Sequence, residues 1–150
     1  MKKRFSIKTA APNALKALIG LENYLAQTSI SKTTKELIKI RASQINGCAF
    51  CIEIHTQDAF SNGEKSQRIF LVSAWKEADG IFTDEEKVVF QITEEVTMIH
   101  QNGLSDATYE KALQFFSEEQ ISEIVMAVIT INVWNRVALS SRLQIGERLA

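Results

Sequence analysis

The chain has 150 residues, 45% of them apolar and 23% charged, a composition that supports one globular domain spanning 1–150 with a core of its own. Seventeen basic residues against eighteen acidic ones give a formal net charge of −1, so no global basic field exists to attract nucleic acid. A single proline, and no alternating apolar–polar runs bounded by hairpin turns, predict an all-α fold of about six to seven helices.

The opening "MKKRFSIK" has the charge of a signal-peptide start, but Pro12, Asn13, Lys16 and Glu22 interrupt any apolar run behind it. The first helix is expected to begin at Pro12, a residue tolerated in a first turn, with Leu15, Leu18, Ile19 and Leu25 on a broad apolar stripe. "SKTTKELIKIRASQING" reads as a second helix, closed by a left-handed residue at Asn46-Gly47. The cysteine segment opens a third, which runs to the break at Ser61 to Gly63. A fourth covers Glu64 to Ala78. Thr83-Asp84-Glu85-Glu86 forms a capping box for a fifth, ending near Asn102-Gly103. Ser105 caps a short sixth, and Ser117-Glu118-Glu119-Gln120 a long seventh that reaches about Leu143.

That last helix is apolar around most of its circumference from Ile124 to Ile131. It needs neighbours on all sides, in the domain centre or across a subunit interface, so a homo-oligomer is expected. The apolar stretch from Ile124 to Trp134 is shorter than a membrane span and leads straight into Asn135 and Arg136. A cytoplasmic protein with no membrane or nucleic-acid partner is therefore expected. In that compartment two close cysteines point to catalysis or metal binding rather than to a permanent cross-link.

Both cysteines and one of the two histidines fall in "NGCAFCIEIHTQD", residues Asn46 to Asp58. On a helix turning about 100° per residue, Cys48, Cys51 and His55 lie within an arc of roughly 60°. Cys51 and His55 are an i,i+4 pair, which lets an imidazole nitrogen approach the sulfur. The glycine turn puts both sulfurs in the first turn of their helix, where unpaired backbone N–H groups and the positive dipole end favour a thiolate. Glu36, twelve residues before Cys48, lies on the preceding helix, and antiparallel packing can bring its carboxylate to the cysteine helix. It has a purely structural alternative, because Thr33-Thr34-Lys35-Glu36 is itself a capping box.

The stretch "ELIKIRASQINGCAFCIEIHTQDA" resembles the signature of the AhpD-like, or carboxymuconolactone decarboxylase, superfamily. "FTDEEKVVFQITEEVT" and "ITINVWNRVALSSR" are similar to its later helices, so the resemblance runs from about Ser31 to Ile145. It implies an AhpD-like helical domain with the C-x-x-C at the N-terminus of a central helix. It further implies a thiol-dependent peroxidase or disulfide oxidoreductase with Cys51 as the peroxidatic cysteine, Cys48 as its proton donor and resolving partner, and His55 and Glu36 as a proton relay. A small peroxide or disulfide is the implied substrate and an external dithiol or redoxin-like protein the reductant, with no cofactor and no metal. Phe50 departs from members that have a histidine between the cysteines. The order of attack stays open: in thioredoxin-like helices the first cysteine is the exposed one, whereas the His55 spacing favours Cys51. A chain of this length is expected to lack or abbreviate the extra helical half of the full-length family peroxidase.

Other readings of the same residues stand beside this one. The cysteines fit a core as small apolar residues. They also fit a zinc site with His55 and a fourth ligand from Glu36, His100 or a neighbouring subunit, although three ligands on one helix cannot surround an ion. The decarboxylase branch of the superfamily acts on a cyclic lactone acid and does not require a cysteine pair. His100 is expected to cap a helix end, and Trp75 and Trp134 to pack. Asn132, Asn135 and Arg136 interrupt an apolar helix and need buried partners, pinning the cysteine helix or a subunit contact.

Overall fold

A computed structural model describes residues 2–147. Among the described residues there are eight α-helices and no strand: α1 (Ile7–Ala10), α2 (Pro12–Ala26), α3 (Lys32–Asn46), α4 (Ala49–Ser61), α5 (Ser66–Leu71), α6 (Asp84–Thr97), α7 (Asp106–Ala112) and α8 (Glu118–Ser141). The all-α expectation holds. The one added helix is the four-residue α1, too short to carry a periodic signal.

Local chemistry sets most of the boundaries. Pro12 opens α2. The Thr83–Glu86 and Ser117–Gln120 capping boxes start α6 and α8, and the Ser105 hydroxyl caps α7. Gly47, at φ 68°, closes α3 in the left-handed region and turns the chain directly into α4. Two expectations change. The segment Glu64 to Ala78 is not one helix: α5 ends at Leu71 and a 3₁₀ turn, Val72–Ala74, follows. There Arg68 is tied to Glu64, to Glu86 and to the Ile81 carbonyl, and the Trp75 indole to Glu94. These tertiary bonds bend the segment where propensity alone would continue it. α6 stops at Thr97, short of Asn102.

α3 is the axial helix, packed on α4, α6 and α8. One side of it joins Ile38 to Val88, Val89, Ile92, Ile121, Ile124 and Val128. Another joins Leu37 and Ile40 to Trp75, Phe82 and Phe90, with the Phe82 ring edge-on to Phe90 at 5.0 Å. Fully burying each such side chain contributes about 1.5–3 kcal/mol before conformational entropy is subtracted. A third cluster at the C-terminal end of α3 holds Ala42, Cys48, Phe50, Cys51, Ile131 and Ala138. The cysteines are thus part of a packed core that α3, α4 and α8 build together. By length and composition α8 is long and apolar enough to cross a membrane, and half of its apolar window is buried inside the fold. Its outer face leaves Ile129 and Leu139 exposed.

Candidate active site

Cys48 is the N-cap residue of α4, and Cys51 stands one turn further on. Both are free thiols, 1% and 3% exposed, and their side chains are hydrogen-bonded to each other. The hydrogen bond from Cys51 lowers the Cys48 pKa most, burial opposes it, and the Cys51 backbone N–H and the Asn135 amide assist, for a net value of about 7. Cys51 moves the other way. Donating to Cys48, being buried and facing the Cys48 charge all raise it, against smaller lowering contributions from Asn135 and Ser43. The helix terminus was expected to favour a thiolate at both positions. Instead the two are pushed apart, Cys48 down and Cys51 up, so that the first proton lost from the pair leaves the charge on Cys48.

Glu36 does not cap its own helix. The Ser31 hydroxyl caps α3, accepting from Thr34 N at 3.0 Å, so the capping-box reading of Glu36 fails and its carboxylate is released sideways. It accepts from His55 Nδ1 at 2.8 Å and lies 3.6 Å from the Lys39 ammonium. Burial alone would raise this carboxyl, but the His55 hydrogen bond and charge and the Lys39 charge together hold it below the ordinary carboxylate range. An ionised Glu36 only accepts, which fixes the proton on Nδ1 and leaves Nε2 for proton exchange.

Three cavities meet at this constellation. The first, about 230 Å³, is lined by Leu15, Ile19, Ile54, Trp134, Cys51 and His55, with Phe50, Ala138 and Glu22 completing its wall. A second, about 240 Å³, shares Phe50 and Ala138 with the first and includes Cys48 but not Cys51. A third, about 350 Å³ and polar, is lined by Glu36, Lys32, Lys35, Lys39 and Asp58, and shares Glu22 with the first. Through the His55–Glu36 hydrogen bond, a proton in the apolar first cavity has a path of two side chains to the polar third.

A polar chain supports the sulfurs from behind. Asn46 donates to Asn135 Oδ1 at 2.8 Å, and Asn135 Nδ2 donates to the Ser43 hydroxyl at 3.0 Å. Asn135 and Ser43 both reach the sulfur pair. Asn46 also donates to Asn132, which donates to Thr97 and accepts from Arg136. The sequence flagged Asn132, Asn135 and Arg136 as needing buried partners, and they have them. It did not assign Asn135 or Ser43 to the thiols; the available signal was an amide at an otherwise core position of α8.

His100 lies apart, exposed beyond the end of α6 with Nε2 near the Gln101 side chain. It caps no helix and does not reach the cysteines. Trp75 and Trp134 pack, as expected. Among the described residues the group of side chains with metal-ligand proximity is Glu36, His55 and Asp58, their ligand atoms within 4.8 Å of one another. It contains neither cysteine, so it is not the zinc set the sequence suggested, and an ion there would have to displace the His55–Glu36 hydrogen bond.

The model of the carboxymuconolactone decarboxylase family matches residues 12–95, which includes α3, α4 and the whole Glu36–Cys48–Cys51–His55 set. The chain belongs to that family. Within it, the uncharacterized protein YdfG of Bacillus subtilis (strain 168) is 41% identical over 150 residues, all of this chain and 99% of that protein. A crystal structure of a protein of unknown function from Agrobacterium tumefaciens, a candidate AhpD antioxidant defence protein, superposes with a TM-score of 0.93 at 37% identity, covering 98% of this chain and 100% of that one. The AhpD core of a peroxidase-related protein from Ralstonia eutropha JMP134 shares the fold at 16% identity, with a TM-score of 0.82 over 95% of this chain and 75% of its own. The fold is that of the AhpD-like members of the family.

Proposed function

We propose that this protein is a thiol-dependent peroxidase in which Cys51 is oxidised, Cys48 resolves, and His55 with Glu36 moves the protons. The observation that carries the reading is a reduced thiol pair at the edge of an apolar cavity, with an imidazole on the cavity wall hydrogen-bonded to a buried carboxylate.

The reactive form of the pair carries one proton and one negative charge. As a hydroperoxide settles against Cys51, the proton moves from Cys51 to the Cys48 thiolate and the Cys51 thiolate attacks the terminal peroxide oxygen. The O–O bond breaks, Cys51 becomes a sulfenic acid, and the departing alkoxide takes a proton from Cys48 to leave as an alcohol. Cys48, a thiolate again, attacks the Cys51 sulfur. Hydroxide leaves, takes a proton relayed through His55, and departs as water, and a Cys48–Cys51 disulfide remains. Two thiols of an external reductant then restore the pair. The low Cys48 pKa makes it the base for the first step and the nucleophile for the last.

Decarboxylation of a lactone acid would ask for a cation to seat the substrate carboxylate. The Cys51 cavity has no lysine or arginine on its wall and carries Glu22 beside His55. A reducing compartment, the cytoplasm, suits a pair that rests as thiols. The homo-oligomer is part of the proposal, and the apolar groove between Ile99, Leu104, Val125 and Ile129 beside α8 is the face that a second copy would cover.

The test is hydroperoxide consumption with cumene hydroperoxide and dithiothreitol, alongside thiol titration and elemental analysis. Turnover that disappears in Cys51→Ser, with two thiols lost together on oxidation, is the expected result. Unchanged turnover in Cys51→Ser, or stoichiometric zinc with unreactive thiols, overturns the reading.

A further inference from the structure

We propose that the two half-reactions use different mouths: the hydroperoxide reaches Cys51 through the apolar cavity between α2, α4 and α8, and a small anionic dithiol reaches Cys48 through the cavity at the C-terminal end of α8. The proposal rests on the peroxidase reading and adds to it where each substrate binds.

The two thiols are hydrogen-bonded to each other, with no disulfide between them, yet the two residues line different cavities. Cys51 lines the first and not the second, and Cys48 the second and not the first. Phe50, 7% exposed, and Ala138 contribute to both and form the partition. Phe50 occupies one of the two helix positions between the cysteines, so the partition is built into the C-x-x-C itself. The cavities differ in chemistry. Around Cys51 the wall is Leu15, Ile19, Ile54 and Trp134, which suits the alkyl or aryl part of a hydroperoxide, with His55 beside its oxygen end. Around Cys48 the wall includes Arg142, a non-glycine residue held at φ 58° where α8 ends. Its guanidinium is the cation on that wall, the group that would seat an anion.

Reduction from the second mouth is chemically complete. A dithiol thiolate attacks Cys48 Sγ, the Cys48–Cys51 bond breaks, and Cys51 leaves with the electron pair and takes a proton from His55. The second dithiol sulfur attacks the mixed disulfide, releases Cys48 as a thiolate, and the reductant departs as its own disulfide. Two electrons pass from dithiol to protein. Peroxide product and incoming reductant never compete for one entrance.

The experiment blocks one mouth at a time from exposed positions. Ile19→Trp fills only the first cavity and Leu139→Trp only the second. In ping-pong kinetics each kcat/KM reports its own half-reaction: Ile19→Trp is expected to lower kcat/KM for cumene hydroperoxide about tenfold and leave that for dithiothreitol unchanged, and Leu139→Trp to do the reverse. Arg142→Gln should lower kcat/KM for dimercaptosuccinate and not for dithiothreitol. Alkylation by N-ethylmaleimide reads access without turnover: Ile19→Trp slows it at Cys51 in a Cys48→Ser background, and Leu139→Trp slows it at Cys48 in a Cys51→Ser background. If either tryptophan depresses both half-reactions and both alkylations alike, the separate mouths are refuted. If the alkylation pattern holds but wild-type protein consumes no hydroperoxide, the mouths stand and the peroxide assignment falls with the peroxidase reading.

Discussion

Asn135 offers a quantitative test of how the thiolate is held. The residue is fully buried in α8 and divides its amide between the Ser43 hydroxyl and the sulfur pair, while its carbonyl accepts from Asn46. Asn135→Ala removes one neutral donor from a charged acceptor, an interaction that contributes about 1.5–3 kcal/mol. Cys51 is the larger influence on Cys48 and Asn135 the smaller, so the lower end applies. At about 1.4 kcal/mol per pKa unit, Cys48 should rise from about 7 to about 8. Its thiolate fraction at neutral pH then falls from about half to about a tenth. Folding should weaken by about 1–3 kcal/mol, since Ser43 loses its donor while Asn46 keeps Asn132 as an acceptor. The assay is the pH dependence of iodoacetamide alkylation, mapped to Cys48 by peptide mass spectrometry, with urea denaturation on the same samples. Asn46→Ala, which leaves the Asn135 amide in place but unanchored, should shift the midpoint by less and serves if the first variant does not fold. A folded Asn135→Ala protein whose Cys48 midpoint stays near 7 would refute the role assigned to the amide.

Glu36→Gln removes the charge that fixes the His55 tautomer but not the Ser31 cap of α3, so helix content should persist while peroxide turnover falls by about 100-fold. An equal loss of melting temperature and activity would mean that Glu36 is structural. Wild-type alkylation and peroxide reduction should both rise with pH through about 7 and then level, as the Cys48–Cys51 pair loses its first proton. A rate that is flat from pH 5.5 to 8.5 excludes this thiolate; that range spans about one and a half units either side of the expected midpoint. Glu94 is buried among Arg41, Lys76 and the Trp75 indole, which outweigh its desolvation and hold it below the ordinary carboxylate range. Its folded pKa is depressed, so its stabilisation is present above the unfolded value of about 4.3 and is lost as pH falls through the folded one. Urea midpoints measured down the acid limb should therefore fall less steeply in Glu94→Gln, and an identical slope would contradict the ion-pair account.

Legibility in the sequence followed the range of the forces involved. Caps and turns act over three or four residues, and Thr83, Ser105, Ser117 and Gly47 were readable because their partners lie next to them in the chain. Cys48, Cys51 and His55 were readable for the same reason, as one face of one helix. Glu36 needed the family pattern, since its local neighbours offered an equally good capping role that the structure gives to Ser31. The break after Leu71 was not readable, because the bonds that make it run to Glu86 and Glu94 on α6. Asn135 was seen as a buried amide and left without a target. Its partners Ser43 and Asn46 are 92 and 89 residues away, a separation at which one sequence has no periodicity to offer.

The two sulfurs also define what the C-x-x-C spacing achieves before any disulfide forms. Burial in hydrocarbon pushes a thiol pKa up, and both sulfurs are nearly sealed, so neither would ionise near neutrality alone. The largest influence on each is the other: Cys51 donates, Cys48 gains the charge, and the pair titrates as one acid. Reactivity in the reduced state is then a property of the spacing, with Asn135 as a modifier. This separates two substitutions that disulfide chemistry treats alike. In Cys51→Ser a hydroxyl still donates to Cys48, and its alkylation midpoint should stay within about one unit of the wild-type value; in Cys51→Ala the donor is gone and the midpoint should climb by more than one. Matching midpoints in the two variants would place the origin of the low pKa in the helix terminus instead of in the partner thiol.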